Sequence, residues 1–215
     1  MIRLLNLFFV VVLVASPLGL LSQKTVSALN VDYRIEIESG RDINRPEIRP
    51  KPIVVYNRMY IYNNRAVYVA FDSTKSWNDY GVMDKTTIWK KGKTSYKHEF
   101  KDSNCCIMYN EMKKRYRWES TVIEEVIAGR KTNKVIIYDD VNGKIFYVWV
   151  DPLVKTSVSP IGFLPVNGLV MRLRNENVVY EVIGRKVVEV PESYFSVDEE
   201  KYRFSEKAFR TGFIE

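Results

Sequence analysis

The sequence predicts a mainly β protein, a curved antiparallel sheet or half barrel, on three observations. Apolar and polar residues alternate with period two through most of the chain after residue 30. Short turns rich in Asn, Asp and Gly recur at regular spacing. No stretch shows the long three-to-four spacing of an amphipathic helix, and the turns divide the chain into about eleven or twelve short strands. Polar turns between many short strands belong to antiparallel sheets, since consecutive strands joined by tight turns must reverse direction.

The first strand is the clearest. Val31, Tyr33, Ile35 and Ile37 alternate with Asp32, Arg34, Glu36 and Glu38, which sends the apolar set to one sheet face and the charges to the other. Pro46, Pro50 and Pro52 then forbid a central strand or helix and predict an extended, exposed connection. Residues 53–62 and 66–71 flank Asn63-Asn64-Arg65, a hairpin in which Asn supplies positive φ. Residues 86–90 and 94–100 flank Lys91-Gly92-Lys93 in the same way, and 107–109, 115–119 and 121–127 continue the series. Residues 135–138 pair with 144–150 across Asp139-Asp140-Val141-Asn142-Gly143, the strongest hairpin signal in the chain. Residues 169–173 and 178–183 flank Arg174-Asn175-Glu176-Asn177, and 187–190 add a strand before Pro191. A short terminal helix is expected over residues 197–209, where Val197, Lys201, Phe204 and Ala208 are three or four apart.

The first thirty residues read as an export signal. Arg3 provides a basic start, residues 4–21 are apolar apart from Asn6 and Ser16, and Pro17 and Gly19 break the segment near its end. Val26-Ser27-Ala28 offers modest residues to a signal peptidase, so residues 1–28 are expected to be removed by a cut after Ala28. The alternative is a retained anchor, because the apolar run approaches the length that spans a bilayer. Removing 28 residues leaves 215 − 28 = 187, the single β-rich domain 29–215, a length that buries a sizeable core. The expected location is the periplasm or cell envelope, or secretion beyond it.

The formal charge of +7 falls to +5 with the loss of Arg3 and Lys24. That is mildly basic, with both signs interleaved, and does not suggest a nucleic-acid partner. Two short basic runs, Lys90-Lys91-Gly92-Lys93 and Lys113-Lys114-Arg115, read as solvated turns or strand edges, or as contacts to an acidic lipid surface or polysaccharide.

Most familiar catalytic chemistries are missing from the sequence. His98 is the sole histidine, which excludes a multi-histidine zinc site, a two-histidine acid/base pair and HExxH. A Ser-His-Asp site would have to use His98, which sits in an alternating strand and reads as a surface imidazole. Neither GxGxxG nor a P-loop is present, so no nucleotide cofactor is expected, nor any other. Asp139-Asp140, Glu124-Glu125 and Glu199-Glu200 leave a carboxylate-only envelope hydrolase as a third reading, without spacing to favour it. Cys105 and Cys106 are adjacent; strand neighbours point to opposite faces, so one buried and one exposed thiol is the simpler reading.

Aromatic residues are abundant, with 14 Tyr, 10 Phe and 4 Trp. In Phe146-Tyr147-Val148-Trp149 they fall on both faces of one strand. Either both faces are covered by the protein itself, or one receives an apolar ligand.

One stretch resembles a known family. Gly129-Arg130-Lys131 leads to the aromatic strand Tyr147-Val148-Trp149, then to Ser159-Pro160-Ile161-Gly162, Leu164-Pro165 and Gly168-Leu169-Val170. This order, over about residues 120–190, resembles the GLPGLI family of exported Bacteroidota proteins, with Val166-Asn167 inserted where the family joins Leu-Pro directly to Gly-Leu. The resemblance implies a half barrel wrapped around an apolar hollow, similar in outline to lipoprotein carriers. It marks Tyr147, Trp149, Pro160, Gly162, Leu164, Pro165, Gly168 and Leu169 as motif residues, and the Pro and Gly suit a turn entering a strand, a structural role. No catalytic or metal residue is assigned. The expected function is a non-enzymatic binding or carrier module for a lipid-like or peptide ligand. The alternative is a structural protein that pairs with another envelope protein, and peripheral membrane contact fits either.

Overall fold

The computed structural model describes residues 24–38, 51–63, 65–70, 85–91, 94–99, 107–111, 116–200 and 204–205. The apolar leader, the proline-rich connection at 45–50 and Cys105-Cys106 lie outside them, as does the run Lys113-Lys114-Arg115. Fourteen strands follow in chain order: β1 Thr25–Ile37, β2 Ile53–Tyr62, β3 Arg65–Ala70, β4 Lys85–Lys91, β5 Thr94–Glu99, β6 Ile107–Glu111 and β7 Tyr116–Ile127. Then come β8 Arg130–Asp139, β9 Lys144–Asp151, β10 Val158–Ser159, β11 Gly162–Phe163, β12 Leu169–Arg174, β13 Val178–Pro191 and β14 Phe204–Ser205.

Twelve strands form one sheet in the order β14-β6-β5-β4-β3-β2-β1-β13-β12-β9-β8-β7, and β10-β11 make a separate small hairpin. All pairs are antiparallel except β14 with β6. The two end strands, β14 and β7, do not pair with each other, so the sheet is not closed into a barrel. Its curvature follows from the core. Tyr68 on β3 and Tyr116 on β7 belong to one continuous apolar cluster, although seven strand spacings of a flat sheet would separate them by about 34 Å.

The alternation read in β1 places Val31, Tyr33 and Ile35 in this main core, with Val55, Met59 and Ile61 of β2 beside them. Earlier in β1, the opposite set is buried. Val26 and Ala28 join Val67 and Phe195 in a second, smaller core, with Tyr60, Tyr62 and Tyr194 packed against it. The even and odd sets point to opposite sides of a strand, so the sheet carries a core on each face.

The main core fills the face that the family resemblance would leave hollow. Phe163, Leu164, Val166 and Leu169 pack there against Tyr33 and Tyr68. The Tyr33 hydroxyl donates to the Val170 carbonyl at 2.7 Å, and the Tyr68 hydroxyl donates to that of Ser159. Burial pushes the Tyr33, Tyr68 and Tyr180 phenols up, because a phenolate in this core would lose its water. Near the start of the same segment, the buried Asp151 carboxylate accepts from Arg130 Nε at 3.0 Å, from Arg185 at 3.4 Å and from the Leu153 amide at 3.0 Å. One acidic side chain thereby ties β8, β9 and β13 together.

Three expectations change. Residues 115–119 and 121–127 are one strand, β7, with an irregularity between Ser120 and Glu124 rather than a turn. Residues 178–183 and 187–190 likewise join in β13, where a register shift opposite Asp32 and Tyr33 absorbs Ile183. The terminal helix expected over 197–209 is not found among the described residues of that stretch. A 3₁₀ turn at Glu192–Phe195 comes earlier, residues 197–200 are not helical, and Phe204–Ser205 pair as a strand. Asp198 accepts the Glu200 amide at 3.2 Å, a local side-chain turn that competes with helix formation. The expected cut after Ala28 falls inside β1, four residues after its start at Thr25.

Candidate functional site

The outer face of the sheet, on the side of the smaller core, holds an open cleft of about 690 Å³. Four segments build it: Lys24 ahead of β1, Tyr62 to Arg65 at the β2–β3 hairpin, Trp89 to Lys91 at the end of β4, and Glu192 to Ser196 after β13. Asn63 turns the hairpin with φ of 52°, a value that Asn tolerates better than most residues. Register then places Arg65 opposite Trp89, and Trp89 opposite Tyr96. The Trp89 and Tyr96 rings stack at 5.4 Å with 12° between planes, and the Lys91 ammonium lies 5.8 Å from the Tyr96 ring.

The 3₁₀ turn is clamped to this face by its aromatic residues. Tyr194 meets Tyr60 edge-on at 5.4 Å, and the buried Phe195 meets Tyr62 at 5.6 Å. Arg65 donates to the Phe195 carbonyl at 2.8 Å. Lys24 is held at both ends, its carbonyl accepting the Glu192 amide at 2.8 Å and its ammonium 2.9 Å from the Glu192 carboxylate. That side-chain hydrogen bond raises the Lys24 pKa. Lys91 contacts Glu199 at 2.6 Å.

The lining carries Lys24, Arg65, Lys90 and Lys91 against the single carboxylate of Glu192. Trp89 is only 2% exposed, and its indole N–H is buried with no hydrogen-bond partner. Thr87, two residues earlier on the same face of β4, has an unpartnered hydroxyl, and Asn30 an unpartnered amide oxygen. A buried donor without an acceptor costs about 1–3 kcal/mol. Chemically the cleft offers positive charge and aromatic surface, features that hold a polar anion in place.

The motif residues lie elsewhere. Pro160, Leu164, Gly168 and Leu169 are buried, with Gly162 and Pro165 partly so. Gly162 has φ of +122°, and a Cβ on Gly168 would come within 2.6 Å of the Asp151 carbonyl oxygen. Both positions demand glycine for the backbone's sake. Tyr147 is exposed on β9 and Trp149 half-buried, and the Lys134 ammonium lies 4.7 Å from the first ring and 5.3 Å from the second. Arg172 covers Trp149 at 5.3 Å and bonds Glu125 and Glu181.

The acidic pairs are engaged locally. Asp139 is buried and accepts from the Val141 and Asn142 amides of its own turn. Asp140 pairs with Arg117, which lowers its pKa, and Glu124 pairs with Lys131. The His98 backbone pairs with Thr87 on β4. Among the described residues, no group of three or more His, Cys, Asp or Glu is arranged to hold a metal. Of the cleft residues, only Lys90 and Lys91 stand out in the sequence, as a charge run. Trp89 carries a weaker signal, an aromatic alternating with polar residues on β4.

No family model and no curated protein matches the chain. Solved structures do. The fold is similar to part of PNGF-II. Its structures in space groups C2 and P21 superpose with TM-scores of 0.55 and 0.53, at 15% and 14% identity. The match covers 86% and 85% of this chain and 32% of the PNGF-II chain in each case, so the protein spans about a third of that length. At this identity the likeness is one of fold alone.

Proposed function

We propose that the protein is a non-enzymatic binding module of the cell envelope, and that its outer cleft takes an acidic peptide segment. The observation that carries this reading is the basic, aromatic lining of the cleft, in which Lys24, Arg65, Lys90 and Lys91 stand against the single carboxylate of Glu192. The protein's own Glu192 and Glu199 already meet Lys24 and Lys91 as ligand carboxylates would. These are exposed ion pairs, worth about 0–1 kcal/mol each, so a ligand displaces them at small cost. A lipid-like ligand is less well served, because Phe163, Leu164 and Leu169 occupy the core face. The envelope location rests on the leader-like order of Arg3 and the apolar residues 4–21, and kinship with the GLPGLI family on the order of motif residues from Gly129 to Leu169.

Titration of tryptophan fluorescence or heat with a short oligo-glutamate peptide tests the proposal. Saturable, salt-sensitive binding is expected. Lys24→Gln should weaken it about twofold to fivefold by removing one cation of the lining. Arg65→Gln with Lys91→Gln should weaken it further. Binding that is absent, or indifferent to all three substitutions, would refute the proposal.

A second reading, association with another envelope protein, is favoured by β7. This end strand leaves Trp118 and Val122 55% and 99% exposed and pairs only with β8 among the described strands, so a partner could add a strand there. Val122→Lys would abolish such association without touching peptide binding.

A further inference from the structure

We infer that one end of the sheet, gathered around the buried carboxylate of Asp151, is a docking surface for an acidic lipid membrane. This goes beyond the peptide-binding reading and does not depend on what the cleft takes.

Asp151 closes β9, and one of its oxygens accepts from Arg130 at 3.0 Å and from Arg185 at 3.4 Å. Its other oxygen accepts the Leu153 amide at 3.0 Å, and Lys155 donates to the Pro152 carbonyl at 3.2 Å. The tip that follows β9 is thus pinned to the fold, yet it presents Leu153 75% exposed. Val126, beside the β7–β8 turn and opposite Lys131, is 69% exposed, and Val187, two residues beyond Arg185, is 70% exposed. Each of these three side chains stands within one or two residues of the Asp151 cluster, a span of about 7 Å along a strand. Singly such residues are ordinary on a protein surface; three held at one end of a sheet form a patch.

The charge beside this patch is positive in sum. Arg130, Lys131, Lys155, Arg185 and Lys186 belong to the same end. Against them stand Asp151, buried between its two arginines, Glu124, which pairs with Lys131, and Glu189, which accepts from Ser27. Five cations against three carboxylates leave an excess of two positive charges. Asp32, opposite Gly184, is balanced by Arg58. Lys155 and Lys186 are exposed, and both arginines remain partly so. Apolar tips among cations suit a membrane surface, where the tips enter the acyl boundary and the cations meet lipid phosphates. A purely apolar partner would desolvate the cations without pairing them, and a purely acidic one would leave Val126, Leu153 and Val187 in water. The tips are short and the charge excess is small, so the contact is reversible and not an anchor.

The test sediments the exported protein with vesicles of mixed phosphatidylglycerol and phosphatidylcholine, and with vesicles of phosphatidylcholine alone. Binding is expected to the mixed vesicles, at least about tenfold weaker to phosphatidylcholine, and reversed by concentrated salt. Leu153→Asp with Val187→Asp should weaken it at least about tenfold, and Lys155→Glu with Lys186→Glu about as much. All four side chains are exposed, so neither pair should lower the melting temperature, which is measured alongside. A loss with only one of the two pairs would mean a surface that reads apolar or acidic character alone, as a soluble protein partner offers, and overturns the membrane assignment. Absence of binding overturns it too, as does binding that neither salt nor substitution alters, the behaviour of a retained leader. Titration of the same variants with oligo-glutamate should match the unaltered protein. A cleft that takes no peptide refutes the peptide-binding reading alone and leaves the vesicle result to stand by itself.

Discussion

Raising the pH should unfold this protein steeply, because three phenols are locked in its core. Tyr33, Tyr68 and Tyr180 are buried, and burial raises all three pKa values above that of an unfolded tyrosine, about 10. Tyr33 and Tyr180 also lie close enough to Tyr68 that their ionised forms would disfavour its phenolate. The folded state therefore holds protons that the unfolded chain releases. The stability of these groups is fully present below pH of about 10 and is lost as pH rises toward their folded values. Each contributes a slope of about 1.4 kcal/mol per pH unit, so three give about 4 kcal/mol per unit. A domain stable by about 5–15 kcal/mol would then unfold between about pH 11 and 14. Tyr33→Phe makes the origin visible. At neutral pH it should cost about 1 kcal/mol, because the Val170 carbonyl loses its hydrogen bond. Above pH of about 10 it should regain about 1.4 kcal/mol per unit, so the two stability curves cross near pH of about 11. Urea unfolding followed by circular dichroism at a series of pH values measures both. A Phe variant that stays less stable by a constant amount throughout would show that the buried phenols do not set the alkaline limit.

Two further substitutions probe the segment that fills the core. Gly168→Ala places a methyl within 2.6 Å of the Asp151 carbonyl oxygen, and the required backbone shift should cost about 1–3 kcal/mol in urea unfolding; an unchanged midpoint would mean that the glycine is not needed for space. Asp151→Ala leaves Arg130 and Arg185 without their shared acceptor. It should cost about 2–3 kcal/mol, less than a wholly buried pair, because the arginines remain 32% and 27% exposed. Thermal melting with Asp151→Asn as the milder comparison checks this, and a loss below about 0.5 kcal/mol would show that the carboxylate does not tie the strands.

The hairpins are legible because their signals are local. Residues 53–62 read as a strand with the same ends as β2, and the Asn-Gly turn before β9 is recognisable because Gly143, with φ of +65°, does what only a few residues do easily. The strand breaks expected at Ser120 and after Ile183 fail for the opposite reason. A bulge and a turn both interrupt the period of two, and only the partner strand distinguishes them. The cleft is less legible still. Lys90 and Lys91 are visible as charges and Trp89 as an aromatic in a strand. Nothing near them in sequence marks Lys24 or Glu192 as neighbours. Those arrive through the pairing of β1 with β13.

By itself, then, the sequence determined that this chain forms short antiparallel strands, where many of them turn, and that familiar histidine, metal-cluster and phosphate-loop chemistries lack their residues. Those properties belong to side-chain alternation and to the backbone preferences of single residues, which act over a few positions. Tertiary structure alone decided that β13 returns to lie beside β1, that the sheet curls until its distant strands share a core, and that the Leu164–Leu169 stretch fills the hollow. It also decided that Val26 and Ala28 are buried at all. Most of these depend on packing between residues far apart in the chain, where the entropy of closing long loops is offset only by the complete set of contacts. Lys24 shows the difference best: in the sequence it stands at the end of a leader, and in the fold it is one wall of the cleft.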